Sequence, residues 1–171
     1  VAKTIYQMTN AKRVLDTSCG WGDRLAGFFT SDAEEYIGCD PNPNTYERYM
    51  KQIETYNSFL SKPKKVKIYR CGAEDLPWHK IKDVDCAFTS PPYFSTEEYN
   101  KNGKYQEDQS WFKYKNYSGW ANDFFLPVAK NTFNSLSDKG HMLVNIMDPK
   151  VKNIRYRSCD ELVDSLKDYF T

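Results

Sequence analysis

The sequence predicts an α/β protein built on a doubly wound, mostly parallel sheet. Three observations carry this. Five short β-type runs alternate with helical patterns along 171 residues, the order that joins parallel strands by helical crossovers. Right-handed crossovers then place helices on both faces of the sheet. The glycine-bearing, acidic and proline-bearing segments fall just after the β runs, at the strand ends where open α/β sheets bind ligands.

Residues 13–16 (Arg-Val-Leu-Asp) form the first β run, and residues 22–30 follow as a helix. Residues 35–39 (Glu-Tyr-Ile-Gly-Cys) are the second run. The spacing of Tyr46, Tyr49, Met50, Ile53, Tyr56 and Leu60 predicts a helix over 43–60. Asn42 can cap it, and Pro43 suits a first turn whose N–H groups have no helical partner. Residues 65–70 alternate as a third strand, and residues 84–89 are a buried fourth. A helix is expected from about 118 to 137, with Ala121, Phe124, Phe125, Val128, Thr132, Phe133 and Leu136 inward and Pro127 bending it. Asp138-Lys139-Gly140 ends it, and residues 141–147 make a fifth strand. A last helix starts at Ser158, where Ser158 and Glu161 have the spacing of a capping box and Leu162, Val163, Leu166 and Phe170 share a face. No internal repeat or low-complexity segment is visible.

Net charge is only +1, so no global basic field demands nucleic acid. Local basic clusters at Lys62, Lys64, Lys65, Lys67 and Arg70, and at Lys150, Lys152, Arg155 and Arg157, read first as solvated surface. The excess is aromatic: 13 Tyr, 10 Phe and 4 Trp, many in polar surroundings that suit a stacking surface as well as a core. Cys19, Cys39, Cys71, Cys86 and Cys159 include no Cys-x-x-Cys pair, and there are only two histidines, so metal-ligand spacing is absent. The cysteines read as reduced thiols of an intracellular, cytoplasmic protein, with no signal peptide or membrane span. A chain that starts at Val1 and stops at Thr171, just after an apolar helical pattern, reads as part of a longer protein.

Four segments carry chemistry. Asp16-Thr17-Ser18-Cys19-Gly20-Trp21-Gly22 follows the first strand, and Gly20 and Gly22 let the backbone turn tightly beside a ligand. The spacing departs from the Gly-x-Gly-x-x-Gly dinucleotide fingerprint, which disfavours a nicotinamide-dependent oxidoreductase. Asp40, in Asp40-Pro41-Asn42 after the second strand, lies about 20 residues beyond the glycine loop, where an acidic side chain can accept both ribose hydroxyls. Glu74 and Asp75 follow the third strand and either face an adenine amino group or cap a turn. Ser90-Pro91-Pro92-Tyr93 follows the fourth. Two prolines cannot continue a ladder, so the strand runs into a rigid turn that projects Ser90 and Tyr93.

This ordered set resembles the class I S-adenosylmethionine-dependent methyltransferases. More narrowly it resembles the DNA amino-methyltransferases, whose signature after the fourth strand is Asp/Asn/Ser-Pro-Pro-Tyr/Phe/Trp. The resemblance spans roughly residues 12–148 and implies a Rossmann-like methyltransferase sheet. By its pattern Asp16, Ser18, Cys19, Gly20 and Gly22 form one side of an S-adenosylmethionine site. Asp40 holds the ribose with Pro41 or Asn42 beside the adenine, Glu74 and Asp75 offer an adenine contact, and Ser90, Pro91, Pro92 and Tyr93 form the catalytic turn. Ser18 and Cys19 stand where the family's loop is often richer in glycine. Five strands are counted where the family has seven, so the sheet is expected to lack its C-terminal strands.

The resemblance implies methyl transfer to an exocyclic amino group of a DNA base, in a duplex with the base flipped out or in a single strand. Serine at position 90 leans toward cytosine N4 over adenine N6. RNA bases, a protein amide, or a cofactor-binding but inactive partner subunit are the alternatives. Residues 1–171 are then one methyltransferase domain with an aromatic insertion at 94–118, a stretch long enough to be functional. Its rings, interleaved with Lys101, Lys104, Lys113 and Lys115, suit base stacking and phosphate contact. It is too short to be a recognition domain, so sequence specificity is expected from the insertion, from a region outside this chain or from a specificity subunit, in a restriction-modification or regulatory setting.

Overall fold

The structure, a computed structural model, describes residues 1–169. Its main sheet contains β1 (Arg13–Asp16), β2 (Glu35–Cys39), β3 (Lys65–Tyr69), β4 (Val84–Thr89) and β5 (Leu136–Val144), in the order β3-β2-β1-β4-β5. All four pairings are parallel. The expected doubly wound sheet is therefore present. The chain winds outward from β1 to β3 and then crosses back to β4 on the other side of β1, so the carboxyl ends of β1 and β4 flank the point where winding reverses. Thr17 and Thr89 join those two ends through their hydroxyls at 3.0 Å.

Side-chain alternation along the strands explains why both faces are covered. Val14, Tyr36 and Cys86 point to one face, where they pack with Tyr6, Leu25, Phe28 and Tyr49. Leu15, Ile37 and Ala87 point to the other, against Ile81, Trp120, Phe124 and Val128. The first face is roofed by α1 (Ala2–Met8), α2 (Asp23–Phe29) and α3 (Pro43–Ser58). Asn42 caps α3 as expected, accepting the Asn44 N–H at 3.0 Å, with Pro43 opening the helix. α1 was not expected from the sequence. It lies so close to α2 that a Cβ on Gly27 would stand 2.6 Å from Ala2 Cβ and 2.9 Å from the Lys3 backbone nitrogen.

The insertion after β4 contains two short helical turns, α4 (Ser110–Lys113) and α5 (Tyr117–Gly119). Phe94, Tyr114 and Tyr117 pack against the core of the second face. Phe94 is buried and meets Tyr117, Trp120 and Tyr156, and Tyr117 stacks on Tyr156 at 4.1 Å. Tyr99 stays exposed.

Three expectations need correction. The single bent helix over 118–137 is instead a π-helical segment, Trp120–Phe125, leading into α6 (Leu126–Asn134). Pro127 supplies no N–H to the turn before it, and the backbone there widens from α to π. Leu136 belongs to a strand, not to that helix. Asp138-Lys139-Gly140 lies inside β5 as a bulge: Val84 pairs with Leu136 and Cys86 with His141, so two steps along β4 match five along β5. Gly140 sits where a Cβ would come within 2.6 Å of the Val84 carbonyl oxygen.

The capping box at α7 (Ser158–Leu166) does not form. Glu161 instead accepts the Tyr117 hydroxyl at 2.8 Å. Asp148 caps the helix from outside, accepting the Cys159 N–H at 3.0 Å, while Ser158 donates to the Met147 carbonyl at 3.1 Å. Phe170, placed on this helix's inner face by its spacing, lies outside the described residues. Between β5 and α7, β6 (Lys150–Val151) and β7 (Ile154–Arg155) make a small antiparallel ribbon, turned by Lys152 and Asn153 at positive φ.

Gly27→Ala tests the α1–α2 contact. Alanine is favoured over glycine in a helix by about 1 kcal/mol, but the clash with Ala2 and Lys3 is expected to win, for a net loss of about 1–3 kcal/mol. Thermal melting below that of wild type checks this, and melting at or above it would show that α1 simply moves away. The cap on α7 has a pH signature. Hydrogen bonds from Cys159 and Ser158 hold the Asp148 carboxyl below its ordinary range. A carboxylate with a depressed folded-state pKa stabilises above its unfolded value and loses that effect as pH falls through the folded one. Asp148→Ala should melt lower than wild type at pH 7, with the gap closing as pH drops below about 4.

Candidate functional site

The loops after β1, β2, β3 and β4 converge on one cavity of about 420 Å3, within the range of small-molecule sites. Thr17 to Trp21, Asp23 and Arg24 come from the first loop and the start of α2, and Asp40, Pro41, Asn42 and Thr45 from the second loop and α3. Gly72, Ala73 and Glu74 come from the third loop, and Ser90 and Pro92 from the fourth. The insertion adds Tyr99, Asn100, Asp108, Gln109 and Ser110. The fold thus brings together Ser18, Cys19, Gly20, Asp40, Pro41, Asn42, Glu74, Ser90 and Pro92 from the sequence-derived set. Asp16, Gly22, Asp75, Pro91 and Tyr93 stand beside or behind the wall.

Asp16 lies beneath the loop and is fully buried. Its carboxylate accepts the Ser18 N–H at 3.1 Å, Arg24 Nε at 2.8 Å and the Tyr36 hydroxyl at 2.6 Å. Arg24 reaches on to the Ser18 carbonyl. One buried carboxylate therefore sets the start of the loop, the first turn of α2 and the β2 face together. Gly20 and Gly22 have φ of +56° and +87°, a region that side chains rarely adopt. At Gly22 a Cβ would also strike Gln52 Oε1 at 2.4 Å, so this glycine serves the turn into α2. Cys19 departs from the glycine-rich pattern for a packing reason: its buried thiol fills the space over Gly38, where a Cβ would lie 2.4 Å from Cys19 Sγ. Burial and the nearby Asp16 push that thiol's pKa well up, which keeps it protonated and unreactive.

Asp40 fastens the second loop to the first. Its carboxylate accepts N–H groups from Gly20 at 3.1 Å and Asn42 at 2.9 Å, and the Thr45 hydroxyl at 3.0 Å. Tyr49 closes the same corner by donating to the Gly20 carbonyl. Burial raises the Asp40 pKa above the usual carboxylate range, against the pull of those hydrogen bonds. At the third loop, Glu74 Oε1 accepts Lys113 Nζ at 3.0 Å and the Tyr114 hydroxyl at 3.4 Å, both from the insertion.

The proline turn after β4 is tied to β5. Ser90 Oγ and the Tyr93 hydroxyl lie 3.0 Å apart, and each donates to the Asn145 carbonyl, at 3.3 and 3.2 Å. Ser90 also lies 3.4 Å from Asn145 Nδ2, which donates to it. Asn145 was missed in the sequence. Its signal was a polar residue interrupting the apolar run Met142-Leu143-Val144-Asn145-Ile146 at a strand's carboxyl end. Arg24 and the insertion's cavity residues had no comparable signal, because their roles depend on contacts remote in sequence.

Asp16→Ala removes one partner of a buried ion pair and orphans Arg24 and Tyr36. It should lower the unfolding free energy by about 3–5 kcal/mol, measured by urea denaturation. A loss under 1 kcal/mol would mean that the loop is held chiefly by its glycines and by Asp40.

No protein-family model matches this chain, and neither does any curated protein sequence. Solved structures do. An rRNA methylase from Streptococcus thermophilus matches with a TM-score of 0.60 at 10% identity, over 97% of this chain and 76% of its own. A methyltransferase of Podospora anserina, solved with SAH bound, matches with a TM-score of 0.53 at 15% identity, over 84% of this chain and 50% of its own. The cyclopropane synthase MmaA2 of Mycobacterium tuberculosis matches with a TM-score of 0.51 at 14% identity, over 82% of this chain and 38% of its own. The chain thus spans half or less of the length of the last two. What it shares with all three is their fold, a doubly wound, Rossmann-like α/β sheet.

Proposed function

We propose that the chain binds S-adenosylmethionine in this cavity and methylates an exocyclic amino group of a DNA base, cytosine N4 in preference to adenine N6. The observation that carries the reading is convergence. Ser90 and Pro92 of the proline turn share one cavity with Gly20, Asp40 and Glu74, so the parts suited to a nucleoside cofactor and the parts suited to an amino-group acceptor face the same space. Methyltransferases and methylases recur among the structures of like fold. The residues present fit the cofactor: a carboxylate for the ribose at Asp40, a close-approach backbone at Gly20, and an acidic side chain at Glu74 for the adenine amino group.

S-adenosylmethionine supplies a methyl group on a positively charged sulfur. The protein's task lies with the acceptor, because a base amino nitrogen has its lone pair delocalised into the ring. Ser90 Oγ and the Pro91 carbonyl accept the two amino hydrogens, draw the nitrogen toward tetrahedral geometry and restore the lone pair. As the new N–C bond forms and the S–C bond breaks, those oxygens stabilise the positive charge that methylation places on the nitrogen. The proton that then leaves the nitrogen passes to water, since a serine hydroxyl and a peptide carbonyl are too weakly basic to keep it. Much of the rate comes from alignment alone. Base stacking is assigned to Tyr93, a reading supported by its place next to Ser90, where its hydroxyl donates to the Asn145 carbonyl at 3.2 Å.

RNA is the second reading, favoured by one observation: the rRNA methylase from S. thermophilus covers nearly the whole of this chain. Incubation with radiolabelled S-adenosylmethionine and a panel of duplex DNA, single-stranded DNA and RNA, followed by digestion to nucleosides, separates the two. Label in N4-methylcytosine from DNA is expected. Label only in RNA nucleosides would move the substrate, and cofactor binding without any label would point to a protein amide or an inactive partner subunit.

Ser90→Ala should lower kcat by about 100-fold, with cofactor affinity unchanged. Asp40→Ala should instead weaken cofactor binding. A carboxylate is the better acceptor for ribose hydroxyls, so affinity is full above the raised Asp40 pKa and falls as pH drops through it. Calorimetric titration of both proteins against pH checks this, since the variant should lack that acid limb.

A further inference from the structure

The ribbon of β6 and β7 gathers cations where its own fold disfavours them. Lys150 and Arg155 stand directly opposite each other across the two strands, and like charges in that position repel. Lys152 opens the two-residue turn at φ +49°, followed by Asn153 at +65°. Such a turn prefers Asn, Asp or Gly. All three cations are exposed, and among the described residues none has a carboxylate within ion-pair distance. The acids nearby are engaged elsewhere. Asp160 pairs with Arg157, and Glu161 accepts the Tyr117 hydroxyl. Asp148 feels the charge of Arg155, but its carboxylate caps α7. Like charges gathered without a counter-charge oppose folding, so they point to an anion met from outside.

The ribbon also stands beside the proline turn. The segment that carries it begins at Asn145, whose carbonyl accepts the Ser90 and Tyr93 hydroxyls. It ends at Tyr156, which stacks on Tyr117 and meets the ring of Phe94, the residue after Tyr93. Val151 and Ile154 share one face of the ribbon, and Val151 packs into the core. Lys150 and Arg155 therefore share the opposite face. The lysines of the insertion, by contrast, are occupied. Lys101 pairs with Glu98 and Lys113 with Glu74, while Lys104 and Lys115 lie over the rings of Tyr105 and Phe112. A base flipped into the cavity leaves its phosphates outside, along the rim, where free cations neutralise them. Resting on the DNA reading above, we propose that the β6–β7 ribbon is the phosphate grip of this chain: Lys150, Lys152 and Arg155 bind the backbone of the DNA strand that carries the target base.

Salt dependence tests this without any turnover. On a log–log plot the association constant falls with salt by about 0.9 per phosphate contact in a duplex and about 0.7 in a single strand. Fluorescence anisotropy of a labelled duplex of mixed sequence, read across a salt series, should give Lys150→Gln/Lys152→Gln/Arg155→Gln a slope shallower than wild type by about 2–3. Lys62→Gln/Lys65→Gln/Lys67→Gln removes as many exposed charges at the β3 border and should keep the wild-type slope. Lys150→Gln alone should leave the melting temperature unchanged or raised, because it relieves the repulsion from Arg155. A wild-type slope in the ribbon variant overturns the proposal and leaves the DNA reading standing. Equal loss of slope in the two triple variants does the same, since net charge alone then explains binding. Failure of wild type to bind the duplex or either of its separated strands overturns both, including the case in which it binds phosphatidylserine vesicles instead.

Discussion

The candidate site rests on the buried carboxylate of Asp16. It joins the end of β1, the Ser18 backbone, Arg24 in the first turn of α2 and Tyr36 on β2. A charge with no solvent contact persists only when fully paired and hydrogen-bonded, and here the pairing requires the loop to leave β1 at one angle and α2 to begin at one place. Gly20 and Gly22 make that path sterically allowed, whereas Asp16 makes it the preferred one. The cavity wall from Thr17 to Trp21 follows from this constraint.

The remaining walls attach to the loop in sequence. Asp40 binds the Gly20 N–H, so the β2 end is registered against the β1 end. The Thr17–Thr89 contact does the same for β4, and Asn145 couples the proline turn to β5. The carboxyl ends of β1, β2, β4 and β5 are thus pinned to a neighbour by a side chain as well as by the ladder. A site assembled from four loops needs such cross-links, since backbone pairing stops where the loops begin. The insertion joins this set at the third loop, where Lys113 pairs with Glu74 and lies 3.9 Å from Asp75 and Tyr114 donates to Glu74.

The fold was legible wherever local pattern and tertiary environment agree. The central runs of β1, β2 and β4 are mostly apolar on both faces because helices cover both, and α3 carried its own cap and proline. The misreadings came where a distant partner wins. Ser158 and Glu161 have capping-box spacing, but Tyr117, 44 residues away, takes Glu161, and Asp148 takes over the cap. Asp138-Lys139-Gly140 has the composition of a helix stop, yet β4 draws it into a bulged strand. The site was legible as an order of loops: Gly20, Asp40, Glu74 and Ser90 were found because each follows a strand. Arg24 and Gln109 were not, and Lys113 was read for phosphate contact, because nothing local to them shows that they meet Asp16, the cavity or Glu74.

The sheet's edges bear on a different property. β3 forms one border, and its exposed positions are Lys65 and Lys67, with Lys67 lying over Tyr69 at 4.7 Å. β5 forms the other, and its bulge carries exposed Asp138 and Lys139. Charged side chains and bulges both obstruct the docking of a further strand. Among the described residues, the charged side chains on β3 and the bulge of β5 oppose strand addition to the sheet, at positions remote from the cavity.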